Sequence, residues 1–190
     1  MNLTPGSAGA AGLPITQVTT GTRVVAVSIA VAVMAASAQV AVPLPFTPVP
    51  ATLQPVAVLT IGALLGSRLG LAALVSYLIV GAAGLPVFAM GGAGIARLIG
   101  PTGGYLLAFP VAAAVAGLGG GRRLRTMIPA MIAAMVVIHA GGAAWLAILG
   151  NDPRFAFEAG FLPFLTGDLF KIALAVVLVL LLAPRLRLTR

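Results

Sequence analysis

The sequence predicts an all-α integral membrane protein with six transmembrane helices and a long, partly re-entrant outer loop. Three observations carry that expectation. Of the 190 residues, 61% are hydrophobic and only 7% are charged, whereas a soluble domain carries about 45–50% apolar and 25% charged residues. The apolar residues fall into runs, several of them long enough to cross a hydrocarbon core of about 30 Å at about 1.5 Å of rise per residue. Prolines, glycines and most of the charges lie between those runs.

Residues 1–22 are rich in Gly, Ala, Ser, Thr and Pro and carry no charged side chain. With no apolar face to bury, they read as a flexible tail. Residues 23–184 make up the membrane domain and residues 185–190 a basic cytoplasmic tail. Span one runs from Val24 to about Val42, behind Arg23. Its Ala36-Ser37-Ala38 has the small-residue pattern of a signal-peptidase site. A signal peptide has its basic region near the first residue, however, and Arg23 comes late, so the segment is expected to stay. Pro43, Pro45, Pro48 and Pro50 then break the helix, because proline lacks an N–H and drives the preceding residue extended. This stretch is an extended or re-entrant connection.

Spans two (Pro55–Leu65) and three (Leu71–Ala83) fall short of the roughly 17 residues that a crossing needs. A re-entrant hairpin is the alternative to two full spans. Gly62, Gly66 and Gly70, each four apart, would suit close helix approach at the turn between them. Spans four to six are Gly104–Leu118, Met127–Leu149 and Leu165–Ala183.

Charge sets the orientation. With the amino terminus in the cytoplasm, Arg23, Arg68, Arg122, Arg123, Arg125, Arg185, Arg187 and Arg190 share one side, eight of the eleven basic residues. The outer side receives Arg97, Arg154 and Lys171 with all three acids, Asp152, Glu158 and Asp168. The positive-inside rule therefore places both termini in the cytoplasm. The same bases sit at helix ends in short loops without interleaved aromatics, which speaks against nucleic acid and leaves the lipid bilayer as their partner.

The chemical inventory is sparse. There is no cysteine and one histidine, which excludes disulfides, thiolate catalysis and a His- or Cys-built metal site; no cofactor is expected. An intramembrane serine protease would need a serine and a histidine at one depth. Ser67 falls in a cytoplasmic turn, and Ser28, Ser37 and Ser76 have no nucleophile-elbow motif. Binding or transport, not catalysis, is the expectation.

Polar groups gather on the outer side: Thr47, Thr52 and Gln54 around the proline stretch, the loop Gly84–Gly104, and the head of span six, Thr166-Gly167-Asp168-Leu169-Phe170-Lys171. Asp168 and Lys171, three apart, share a helix face about 5–10 Å inside an apolar run. Ionisable groups at that depth cost about 2–3 kcal/mol or more unless paired or hydrated. Two readings are open: the pair neutralises itself with Lys171 reaching outward, or it faces an internal cavity. The start of span six, at Pro163 and Thr166, turns its positive dipole end toward the same region, where a carboxylate would fit. The loop Gly84–Gly94 is too long and apolar for a mere connector and reads as a lid or re-entrant wall, with Phe88 and Met90 as apolar walls beside backbone groups. Arg97 has three possible partners: lipid phosphate, the Asp152/Glu158 pair, or the ligand. His139, mid-span, reads as a neutral, hydrogen-bonded interior residue rather than a proton relay, and Trp145 as an interfacial anchor.

Four segments together resemble the BioY family: Pro48-Val49-Pro50-Ala51-Thr52-Leu53-Gln54, Gly84-Leu85-Pro86-Val87-Phe88-Ala89, Gly100-Pro101-Thr102-Gly103-Gly104-Tyr105, and Gly167-Asp168-Leu169-Phe170-Lys171. The resemblance covers about residues 23–184. It implies an S-component fold of an energy-coupling factor (ECF) transporter, which captures biotin outside the bacterial cytoplasmic membrane. It also implies partners, a coupling transmembrane protein and ABC-type ATPase subunits; the only lysine here is Lys171, so the chain has no phosphate-binding Gly-Lys loop of its own. The implied binding residues are Asp168, Lys171, Gln54, Thr52, Phe88, Met90, Gly91, Thr102, Tyr105 and Arg97. By chemistry Asp168 would accept from the ureido ring, while Lys171 suits either the carboxylate or the ureido oxygen. On helix one, Ala26-x-x-x-Ala30 and Ala32-x-x-x-Ala36 are implied contacts for the coupling protein. An S component for another vitamin or small carboxylate-bearing molecule is the alternative.

Overall fold

The computed structural model describes residues 19–119 and 123–183. The bulk of the predicted tail, residues 1–18, together with Arg122 and the basic stretch 185–190, lies outside the described residues. Seven helices account for most of the chain: α1 (Thr20–Gln39), α2 (Gln54–Ala82), α3 (Ala96–Ile99), α4 (Gly103–Leu118), α5 (Leu124–Gly150), α6 (Pro153–Gly160) and α7 (Leu162–Leu182). α1 takes in the last three residues of the expected tail, because the Thr19 side chain accepts from the backbone N–H of Thr22 and caps it.

Helix α2 contains both short spans. It is interrupted at Gly66, whose φ of 78° and ψ of 171° lie outside the helical region. The two arms fold back on each other there: Gly62 meets Gly70, and Gln54 near one end bonds Tyr77 on the other arm. The glycine spacing expected to permit close approach does so, since the backbone of Gly62 also lies against the Ala113 carbonyl of α4. Gly66 sits in a region open essentially to glycine alone. Gly66→Ala is therefore expected to cost about 1–3 kcal/mol, read as a lowered midpoint in thermal unfolding of the detergent-solubilised chain; an unchanged midpoint would mean that the turn tolerates a side chain.

The core lies where α2 packs on α4 and α4 on α5, with α1 and α7 against the hairpin. Alanine and glycine do most of this work: Ala112, Ala113 and Ala116 of α4 are fully buried, and a Cβ at Gly104 or Gly141 would strike the facing helix. Small residues let backbones approach where no hydrophobic effect separates helix from lipid. Large apolar side chains such as Met34, Leu59, Leu74 and Met131 fill the rest of the core, and many others face outward, among them Ile29, Ile79, Val111, Val136, Leu169 and Leu181, as a lipid-facing surface requires. Among the described residues, four helical stretches are long and apolar enough to cross a membrane, and α4 is a shorter apolar helix.

The bundle has two distinct ends. At one, the Gly66 turn meets Gly117, and Gly119 meets Thr126 and Met127. Arg68, Arg123 and Arg125 lie at this end, with Arg23 in the first turn of α1. At the other end lie the proline segment, the loop after α2, α3, α6 and the head of α7.

Candidate functional site

At this second end the proline segment is a short hairpin. Strands β1 (Ala41–Val42) and β2 (Ala51–Thr52) pair antiparallel, so residues 43–50 leave and return to one place. The extended connection is thus folded back, and it delivers Thr52 and Gln54 to the mouth of the α2 hairpin. The Thr52 hydroxyl accepts from the Gln54 N–H and donates to Gln54 Oε1, both at 3.3 Å. Buried Gln54 donates to Tyr77 Oη at 2.9 Å, and the Tyr77 hydroxyl donates to the Val87 carbonyl at 2.9 Å. One chain of hydrogen bonds therefore runs from the proline segment through both arms of α2 to the following loop.

That loop is a wall pinned from several sides. Phe88 is buried with its ring edge-on to Tyr77 at 5.4 Å, in a space that a Cβ at Gly81 would fill. Its N–H donates to the Gly92 carbonyl, closing a tight turn over Ala89–Gly91. Gln39, the last residue of α1, donates to the Phe88 carbonyl at 3.4 Å and accepts from the Gly91 N–H at 3.2 Å. Arg97 of α3 lies over Gly92, where a Cβ would meet its guanidinium. The Trp145 indole donates to the Gly100 carbonyl at 3.0 Å, so the residue read as an interfacial anchor holds the turn into α4.

The charged centre lies between α5 and α7. Asp168 accepts from Lys171 Nζ at 3.1 Å on one carboxylate oxygen, and its other oxygen lies 2.5 Å from His139 Nε2. His139 and Asp168 are each only 5% exposed. The Phe164 ring stacks on the His139 imidazole with centroids 6.0 Å apart, Phe161 meets it edge-on at 5.5 Å, and Lys171 Nζ lies 5.8 Å from the Phe164 centroid. Tyr105, edge-on to His139, donates to the Gly160 carbonyl at 2.5 Å and ties α4 to α6.

These groups line one pocket between the proline segment, the α2 hairpin, α4, α5 and α7. Val49, Pro50, Pro55, Leu106, Phe109 and Ile138 give it an apolar wall. Of the residues expected at a binding site, Thr52, Gln54, Phe88, Arg97, Thr102, Tyr105 and Lys171 line it. Three stand elsewhere. Met90 is exposed at the tip of the tight turn, with φ of 58°, and Gly91 is exposed with its N–H given to Gln39. Asp168 lies behind the wall, both oxygens engaged, and holds the two residues that do reach the cavity. Arg97 has no ion pair with Asp152 or Glu158: Asp152 caps α6 by accepting from Arg154 and Phe155 N–H, and Glu158 pairs with Arg154.

Sequence reasoning missed His139 and Phe164 on this wall. The signal for His139 lay in its depth, since a lone mid-span imidazole needs a partner and Asp168 is the one buried acid. On α1, Ala26 and Ala30 are buried within the chain, because their face turns toward α2, whereas Ala32 and Ala36 are exposed.

The chain is similar in sequence to several transport proteins. It is 44% identical over 131 residues to a probable biotin transporter BioY of Pyrococcus horikoshii, covering 69% of this chain and 78% of that one. It is 37% identical over 139 residues to a biotin transporter BioY of Thermotoga maritima, covering 72% and 82%. Its fold matches the crystal structure of the S-component for biotin from an ECF-type ABC transporter with a TM-score of 0.77, at 24% identity over 87% of this chain and 94% of that one. The family model described as the BioY family matches residues 14–188, and with that match the chain belongs to the BioY family.

Proposed function

We propose that the chain is the biotin-capturing S component of an ECF-type importer in the bacterial cytoplasmic membrane. It is a binding protein, not an enzyme. The observation that carries the reading is the cavity, apolar over most of its wall with a few convergent polar groups at one end, in a chain whose relatives are named biotin transporters. Such a wall suits a bicyclic thioether body, and the polar groups suit a ureido ring and a carboxylate. Lys171 keeps donors beyond the one given to Asp168, and Arg97 offers a planar fork for a carboxylate.

The basic end of the bundle, with Arg23, Arg68, Arg123 and Arg125, faces the cytoplasm, so both termini are cytoplasmic and the cavity opens outward. ATP hydrolysis belongs to ABC-type ATPase subunits that reach this chain through a coupling transmembrane protein. The exposed Ala32-x-x-x-Ala36 pair on α1 offers that protein a close-packing face.

Equilibrium binding of labelled biotin to the detergent-purified chain, with thiamine and riboflavin as competitors, tests the reading. Saturable binding displaced by biotin alone is expected. Displacement by thiamine or riboflavin would transfer the site to another vitamin, and a folded sample that takes up no biotin would overturn it.

A further inference from the structure

Three glycines follow the Phe88 wall, and the backbone accounts for two of them. Gly91 and Gly94 have φ of 68° and 82°, a region that glycine enters at no steric cost. Gly92 between them has φ of −67° and ψ of 149°, which any residue adopts. Its reason is space. Gly92 is buried, and a Cβ on it would take the place of the Arg97 guanidinium. The next neighbour, the Ala89 carbonyl oxygen, would lie 3.1 Å from that Cβ, a contact that a small shift relieves.

Arg97 needs this seat. It is an exposed side chain of the four-residue helix α3, and among the described residues no acid pairs with it. Its packing on Gly92 therefore aims it, since a long side chain without an anchor keeps many rotamers in water. The guanidinium lines the same pocket as Lys171, but Lys171 is paired with Asp168 at 3.1 Å, so the unspent positive charge on the wall is that of Arg97. A carboxylate supplies the missing partner, and a planar fork grips one best when its direction is fixed.

We propose that Gly92 is a positioning residue that sets the selectivity of the site for a free carboxylate. By leaving its Cβ place to the guanidinium it turns an otherwise unanchored arginine into a fixed anion receptor, so that the site takes the free acid in preference to its amide. The proposal rests on the biotin reading above and adds to it which form of the tail is accepted and what decides this.

Competition of biotin and biotinamide against labelled biotin isolates the tail, because the two molecules differ at its end alone. The native chain should bind biotin about tenfold or more tighter than the amide. Gly92→Ala should bind the amide as the native chain does and lose most of the preference for the acid, and Arg97→Ala should lose that preference too. The double variant Gly92→Ala, Arg97→Ala should be no weaker toward biotin than Arg97→Ala, because a glycine that acts only through the guanidinium then has nothing left to act on. A Gly92→Ala chain that keeps the native preference, one that weakens toward acid and amide by a common factor, or a double variant weaker than Arg97→Ala would overturn the proposal. So would a native chain that binds acid and amide alike. A native chain that binds neither would instead overturn the reading on which the proposal rests.

Discussion

Asp168→Ala is expected to weaken biotin binding by about 2 kcal/mol or more, roughly thirtyfold, although Asp168 does not itself stand on the cavity wall. The loss comes from the two groups it holds. Without the carboxylate, the Lys171 ammonium has no counter-ion in an apolar surround and swings toward water on its flexible stem. His139 loses its hydrogen-bond partner among the described residues. Breaking one side of a buried pair costs about 3–5 kcal/mol in general, so stability should fall together with affinity. Asp168→Asn, which keeps an oxygen acceptor but no charge, should fall between. Glu158→Ala is the control: its pair with Arg154 is exposed, and such pairs contribute little. Labelled-biotin binding and thermal unfolding on the same preparations separate the two effects. Native affinity in Asp168→Ala would remove the charged group from the site.

Gly62→Val is expected to prevent the bundle from forming. A Cβ there overlaps the Ala113 carbonyl oxygen and crowds the Ala116 methyl, and the first of these is backbone, which has no rotamer to change. Overpacking a core costs about 1–3 kcal/mol even where side chains can shift, and here the α2 and α4 backbones would have to separate where the two helices pack most closely. Gel filtration in detergent should show loss of the monodisperse species. Gly150→Ala, at a helix end with open space around it, should leave that species intact. A monodisperse Gly62→Val chain with native biotin affinity would mean that the two helices need not touch.

Apolar runs and proline breaks made the helices legible, because the bilayer imposes length and apolarity on any span. The glycine spacing at 62, 66 and 70 pointed to the turn of the hairpin for the same reason. Asp168 and Lys171 stood out because charge within an apolar run is costly. Three things were hidden. His139 became part of the site only when α5 lay beside α7, a contact between residues 29 apart that no local pattern encodes. Phe164 read as one more apolar residue of span six until its ring met the imidazole and Lys171 Nζ. Met90 and Gly91 read as cavity wall because the loop's composition gives no indication of which side of a tight turn faces inward; the Gln39 clamp from α1 settles that.

The break at Gly66 also bears on how the chain enters a bilayer. The arms of α2, residues 54–65 and 67–82, extend for about 18 and 24 Å, and neither reaches across about 30 Å of hydrocarbon alone. Selection by length and apolarity therefore favours their joint entry, as one apolar stretch that turns back at Gly66. The bend at Gly66 brings Gln54 against Tyr77, a contact that the two arms make between themselves. The Gln54 side of the binding cavity is in this sense local to one stretch of sequence, whereas its charges, on Arg97 and Lys171, come from elements further along the chain.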